Sequence, residues 1–531
     1  MTAAVAEHAI TRLAVRQVRR GGLIVLAVTA GMSALVANTY ESTMGTEADL
    51  ATLMALGGNP AVRTLFGEPV ALDTPGGFTV WRTGTVLAVL LSVWGLLAVT
   101  RITRGEEEAA RWSLLLAGRL DLRAVLGRHL LVLAVVLATV GVAVTVALVA
   151  VGTPASGAIR HGAGLALAGL FAVALATLAA QVFPTRAGAT GATVAVLGVG
   201  LLSRMVGEGV DALAWLRWLS PFGLLALTRP YHDDRVLPLV VLAAGTLAVG
   251  AAAVLLAGRR DVGGGLVAGA TGRQPWRLLL GSVQGFALRR LLRPLAGWVA
   301  GVGAYFLLIG VLAESMTRFL SDNPRFADLA AQAGFTGLGS VRGYAASMFA
   351  LLAVPVGTFA AVRLGAFAAA EADRRLTPLY ALPVTRHRVL GAEVFTVLAG
   401  SVVLLAAAAV ATWAGAATVD ADLPLAAALA GTLNVLPVVL LCAGAAVLAV
   451  GWAPRAVAGI GSLPAAGGFL LQVVADSVDA PGWVRNLSPF AHLAAVPATG
   501  VNWPAVLTMV VLALVAAGFG MAGHQRRDLI G

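Results

Sequence analysis

The chain has 531 residues, 59% of them hydrophobic and only 12% charged, with a formal net charge of +11. A soluble domain carries about 25% charged residues, so a soluble globular fold is excluded. Continuous apolar runs of about 20 residues recur from end to end, which reads as an all-α polytopic membrane protein rather than a β-barrel of short alternating segments.

Every basic residue is Arg and none is Lys. A P-loop needs its Lys to reach the β- and γ-phosphates, so the chain carries no nucleotide-binding domain of that kind. The single cysteine, Cys442, excludes disulfides within the chain and Cys-rich metal sites. The seven His stand at no ligand spacing, and no catalytic triad or metal motif is present.

In chain order, residues 1–21 predict a basic amphipathic segment on the membrane face. Spans follow at about 22–40, 80–100, 129–151, 162–182, 187–206 and 236–257, with a polar stretch at 41–78. The run after the basic segment is too long for a signal-peptide core and reads as a retained span. The Arg-rich linker 261–293, with glycines just inside it, separates a first half (1–260) from a second (294–531). Further spans fall at about 294–313, 344–364, 393–415, 423–450, 456–475 and 504–522, giving about twelve in all.

Arg placement sets the expected orientation. With the N-terminus inside, 26 of the 37 Arg but only 10 of the 26 acidic residues fall in the inner segments. This is the positive-inside pattern, with both termini cytoplasmic in a bacterial plasma membrane. It accounts for the net charge without nucleic acid.

The halves are direct repeats, because six spans each is an even number. Glu107–Gly127 aligns without a gap on Glu371–Gly391, so that Arg111 meets Arg375 and Val125-Leu126-Gly127 meets Val389-Leu390-Gly391. Ala14, Arg16 and Arg20 match Ala287, Arg289 and Arg293. Trp215, Arg217, Leu219, Ser220, Pro221 and Phe222 match Trp483, Arg485, Leu487, Ser488, Pro489 and Phe490, with Glu208 and Asp476 each seven positions before the Trp. Parallel repeats of this kind place a substrate path at their interface.

Glu107 and Arg111, and likewise Glu371 and Arg375, are four apart and are expected to form i,i+4 ion pairs on a short amphipathic helix. The Leu residues that follow, with Leu115 and Leu379 among them, would give an apolar strip for a groove on a soluble partner. Polar residues at membrane depth are Gln181, Asn434 and Gln472, candidates for helix–helix hydrogen bonds or for the substrate path. His129 and Glu393 occupy equivalent positions at the start of the third span of each half.

The pattern acidic–x3–basic, Leu-rich, small–basic, Val-Leu-Gly, between the second and third of six spans, resembles the coupling region of ABC-2 type transporter permeases. The second copy keeps Leu382-Pro383-Val384-Thr385-Arg386; the first has Arg119-Leu120-Asp121-Leu122 instead. The fused two-half form is similar to actinobacterial polyketide-antibiotic and multidrug exporters. The resemblance implies that two copies of a P-loop ATPase dock on Glu107, Arg111, Leu115 and Arg119, and on Glu371, Arg375, Leu379, Pro383 and Arg386. ATP and Mg would then be bound by the partner, with no cofactor on this chain, and the better-formed docking site would lie in the second half. It also implies an extracellular gate, re-entrant at Pro221 and Pro489. Its members would be Glu208, Trp215, Arg217, Pro221 and Phe222, with Asp476, Trp483, Arg485, Pro489 and Phe490; the tryptophans alone would equally serve as interfacial anchors. The cargo would be a hydrophobic or amphipathic compound. A proton-coupled secondary drug transporter and an exporter of lipid or cell-envelope precursors are the alternatives. The first usually carries a Gly-rich basic motif between spans two and three, which residues 101–128 lack.

Overall fold

The computed structural model of the chain describes residues 3–40, 63–64, 67–117, 121–267, 278–322, 339–477 and 480–527. Among these residues there is no strand. Eleven helices are long and apolar enough to cross a membrane, and a shorter apolar helix covers Val457–Gln472. The chain is an all-α polytopic membrane protein. It divides into two compact units, Met1–Arg273 and Gln274–Gly531.

The first unit contains α1 (Ala3–Asn38), α2 (Pro75–Thr100), the short α3 (Arg111–Leu116), α4 (Leu122–Ala150), α5 (Ala155–Val182), α6 (Arg186–Gly209), α7 (Pro221–Leu227) and α8 (Leu237–Ala257). The basic N-terminal stretch is not a separate segment; it runs into the first span as one helix. Thr74 starts α2 by accepting Gly77 N–H at 3.0 Å, with Pro75 in the first turn where its missing N–H costs nothing. Thr185 caps α6 in the same way.

Helix α5 packs against α2, α4, α6 and α8. Its contact with α4 depends on two glycines. A Cβ on Gly162 would fall 2.3 Å from the Gly141 carbonyl oxygen, and one on Gly141 would fall 2.6 Å from that of Gly162. In lipid, where no hydrophobic force drives helices together, such close backbone approach supplies the packing energy. At the opposite end from Glu107, the Tyr231 ring lies between the starts of α2 and α5, and its hydroxyl is 3.1 Å from Thr153 Oγ1.

The second unit contains α9 (Val283–Asp322), α10 (Val341–Ala372), the short α11 (Thr377–Tyr380), α12 (Arg386–Ala417), α13 (Leu425–Leu433), α14 (Leu436–Trp452), α15 (Val457–Ser462), α16 (Gly468–Ser477) and α17 (Trp503–Arg526). The tenth expected span, Leu425–Trp452, is one apolar crossing with a turn inside it, between α13 and α14. Pro437 in the first turn of α14 cannot donate back across the join. The eleventh is interrupted by a π-turn over Leu463–Gly467, which holds Pro464. Packing within this unit follows the plan of the first: α9 pairs with α12 as α1 pairs with α4.

Candidate functional site

The two duplicated segments end their helices in the same way. Helix α2 continues through a π-turn, Arg101–Gly105, to Glu108. Ala110 then takes a left-handed conformation (φ 57°) and donates its N–H to the Glu107 carbonyl at 2.9 Å. Arg374 does the same after α10, with φ 59° and a bond of 3.0 Å to the Glu371 carbonyl. A left-handed residue closes a helix C-terminus. Glu107 and Arg111 therefore do not share a helix face, and neither do Glu371 and Arg375. The expected i,i+4 ion pairs do not form.

Each glutamate instead turns inward to distant partners. Glu107, with its side chain 1% exposed, accepts Arg104 Nη1 at 2.8 Å, Arg260 Nη1 at 2.5 Å and Nη2 at 2.8 Å, and the Gly263 N–H at 2.7 Å. Arg104 also donates to the carbonyls of Pro184 (3.0 Å) and Gly264 (2.7 Å). Arg260 Nε donates to Gln181 Oε1 at 2.8 Å. Two guanidiniums, one carboxylate and the end of α5 thus form one buried network, and residues 263–267 lie along the end of α5 with Leu266 N–H on the Gln181 carbonyl. Buried charges are tolerated when they are paired and saturated with hydrogen bonds in this way.

Glu371 is bound by Arg527 Nη2 and by Tyr380 Oη at 2.7 Å, with His524 Nε2 3.5 Å away. Burial, then the hydrogen bond from Tyr380 to Glu371 and the charge there, raise the Tyr380 phenol well above its ordinary value. A group raised on folding contributes stability below its unfolded pKa of about 10 and loses that contribution only as pH rises through the folded value. Tyr380→Phe should cost about 1 kcal/mol. The difference in Tm between the two proteins should be flat from pH 6 to pH 9; a loss of that difference within this window would show that Tyr380 is not the donor.

The tips of the segments face outward. Arg111 pairs with Glu106 at 2.6 Å and Arg375 with Asp373 at 3.1 Å, with both Arg side chains at least 60% exposed. The expected Leu strip is largely turned in. Trp112 is buried against Ile10, Leu122, Val125 and Leu126, with Leu115 and Leu116 packed on that cluster. In the second unit Leu376 is buried, Leu379 half-buried and Pro383 exposed. Arg386 begins α12 and donates to the Arg527 carbonyl at 2.8 Å. Arg119 and the Asp476 side chain lie outside the described residues.

At the other end of the first unit, Glu208 is buried and accepts the Glu68 N–H at 3.1 Å, with Arg217 Nη1 at 3.7 Å. Glu68 takes Arg229 Nη2 at 2.6 Å on each oxygen. Glu68, Glu208 and Arg229 border a cavity of about 60 Å³ lined also by Trp81, His161 and Arg204. Pro221 and Pro489 start new helical turns rather than interrupt running ones. Ser220 and Ser488, both fully buried, cap those turns by accepting the N–H of Phe222 and of Phe490 at 3.2 Å. Phe222 is buried; Phe490 packs edge-on against Phe469 at 5.7 Å. Trp215 and Trp483 are 57% and 70% exposed, and Arg485 is half-buried.

The sequence profile described as "Multidrug efflux system permease Rv1217c, C-terminal domain" matches residues 11–258 and 280–525. The chain belongs to this family. The permease is 29% identical over 514 residues to the multidrug efflux system permease protein Rv1217c of Mycobacterium tuberculosis, covering 93% of this chain and 89% of the relative.

Of the three membrane-depth polar residues of the permease, Gln181 belongs to the Glu107 network. Asn434 Nδ2 donates to the Ala494 carbonyl at 2.9 Å, and Gln472 is half-buried on α16. The network residues that the repeat comparison passed over are Arg260 and Arg527. They had a signal: Arg259-Arg260-Asp261, two residues past α8, recurs as Arg526-Arg527-Asp528, which begins on the last residue of α17. The units also differ. The position that matches Arg104 is Ala368, which lines a cavity of about 510 Å³ with Val362, Glu371, Pro454, Arg455 and Arg527.

Proposed function

We propose that the permease is the membrane-spanning subunit of an ATP-driven exporter of hydrophobic or amphipathic, drug-like compounds. The observation that carries this reading is the duplicated segment after α2 and α10. In both units its inner end is locked by a buried glutamate, and its tip presents a charged, exposed surface beside a left-handed break. A locked root with an exposed tip suits a lever on which a soluble subunit pushes. Two P-loop ATPase subunits would dock there, one per segment, and supply the ATP and Mg. The naming of the mycobacterial relative as a multidrug efflux permease supports the cargo class. The excess of Arg on the segments' side supports placing that side, and both termini, in the bacterial cytoplasm.

Proteoliposomes holding the permease with and without a co-expressed P-loop ATPase test this. Export of a hydrophobic dye is expected only with the ATPase and ATP. Dye movement driven by a proton gradient alone would establish a secondary transporter instead, and movement of labelled lipid but no dye would establish an envelope-precursor exporter. The docking surface has its own test. Arg111→Glu with Arg375→Glu reverses two exposed charges and should weaken ATPase association on the order of tenfold, about 1.4 kcal/mol, while the permease alone loses only its two surface ion pairs, with Glu106 and Asp373, about 1 kcal/mol each at most. Unchanged association would remove these tips from the interface.

A further inference from the structure

The second Arg of the duplicated Arg-Arg-Asp motif makes the same three-way junction in both units. Arg260 follows α8 by three residues, and Arg527 follows α17 directly. Each reaches the glutamate at the end of its unit's second span: Arg260 grips Glu107 through both Nη atoms, and Arg527 Nη2 holds Glu371. Each also reaches the end of the fourth span, Arg260 Nε on Gln181 Oε1 at 2.8 Å and Arg527 Nη1 on the Val450 carbonyl at 3.1 Å. The Arg before it points away in both cases; Arg259 and Arg526 are exposed, whereas the side chains of Arg260 and Arg527 are 4% and 18% exposed. A forked guanidinium can donate to two elements at once in a fixed geometry, which an ammonium cannot.

We infer that Arg260 and Arg527 are positioning residues that join the second, fourth and sixth spans of their unit at one point, so that a displacement of the segment carrying Glu107 or Glu371 is passed to all three. In the first unit Arg104 braces the same ends from the second span, through the carbonyls of Pro184 and Gly264; the matching position in the second unit is Ala368, so the long-range arginine is the junction that the two units share. A structural filler would not need to recur, with the same two targets, in both copies of the repeat. This inference rests on the reading of those segments as the surfaces on which an ATPase pushes.

Two measurements test it. In the first, hydrogen–deuterium exchange is followed on the permease alone. Arg260→Gln should raise exchange at least tenfold over 106–117 and 180–186 and leave 371–382 unchanged; Arg527→Gln should do the converse, over 371–382 and 449–455. Unaltered exchange in the affected unit would overturn the junction whatever drives transport. In the second, cargo moved per ATP hydrolysed is measured in assembled complexes. Each Gln variant should lower this ratio at least tenfold, Arg527→Lys should fall between Gln and wild type, and Arg259→Gln and Arg526→Gln should match wild type. A Gln variant that keeps the wild-type ratio would reduce the two residues to structural anchors. If the wild type itself shows no ATP-driven transport, the exporter reading fails while the exchange result still decides the junction.

Discussion

Replacing Glu107 by Gln should destabilise the permease by about 3–5 kcal/mol, the cost of removing one partner from a buried ion pair. The amide cannot balance Arg104 and Arg260, whose side chains are 1% and 4% exposed, and neither guanidinium can release its proton at any accessible pH. Glu371→Gln should cost less. Arg527 is 18% exposed and can turn toward water, and Tyr380 Oη still finds an acceptor in the amide oxygen. Thermal unfolding in detergent should therefore rank wild type above Glu371→Gln and Glu371→Gln above Glu107→Gln. Equal losses from the two substitutions would show that the networks are equally buried, against the geometry.

Gly162→Val is the second large effect. Its Cβ would stand 2.3 Å from both the Gly141 carbonyl oxygen and Thr145 Oγ1. The obstacle is backbone on a packed helix, so α4 and α5 must separate. Overpacking costs about 1–3 kcal/mol where side chains can yield, and this site should lie at or above the upper end. Gly127 and Gly391 give the contrast. They occupy matching positions on α4 and α12, and a Cβ at either meets nothing within 4 Å. Gly127→Ala and Gly391→Ala should be neutral or stabilising by about 0.5–1 kcal/mol through helix propensity. Yield of monodisperse protein and its Tm check all three; a tolerated Gly162→Val would mean that the α4–α5 contact is looser than described.

The all-α polytopic class and the positions of the spans were legible because they rest on apolar length, which each segment declares by itself. Even there, a turn beside Pro437 and a π-turn at Pro464 interrupt two of the expected spans, since a proline inside an apolar run marks a break without saying whether the helix resumes. The candidate site was legible only in part. Glu107 and Glu371 were found by repetition, yet their partners were misassigned to Arg111 and Arg375. A four-residue spacing holds on an unbroken helix, and the left-handed Ala110 and Arg374 break it. Local partners exist, Arg104 three residues before Glu107 and Tyr380 nine after Glu371, but Arg260 and Arg527 stand 153 and 156 residues away, at distances where spacing along the chain carries no information. Gln181, a candidate for a helix–helix hydrogen bond or for the substrate path, bonds Arg260, from a stretch that composition alone presents as a linker. Leu115 misled for a simpler reason: an apolar strip beside a membrane protein's own core is covered by that core first.

The Arg104 and Ala368 pair has a consequence for how such a protein can change over time. Two identical subunits encoded by one gene would have to carry the same residue at both positions, and an arginine gained on one side would be gained on the other. Joined in a single chain, the copies are free to diverge. One places a guanidinium from its own helix beside its glutamate, and the other has a cavity there, lined by an alanine. Substitutions at 104 and 368 should therefore be tolerated independently, each judged by its own unit's surroundings.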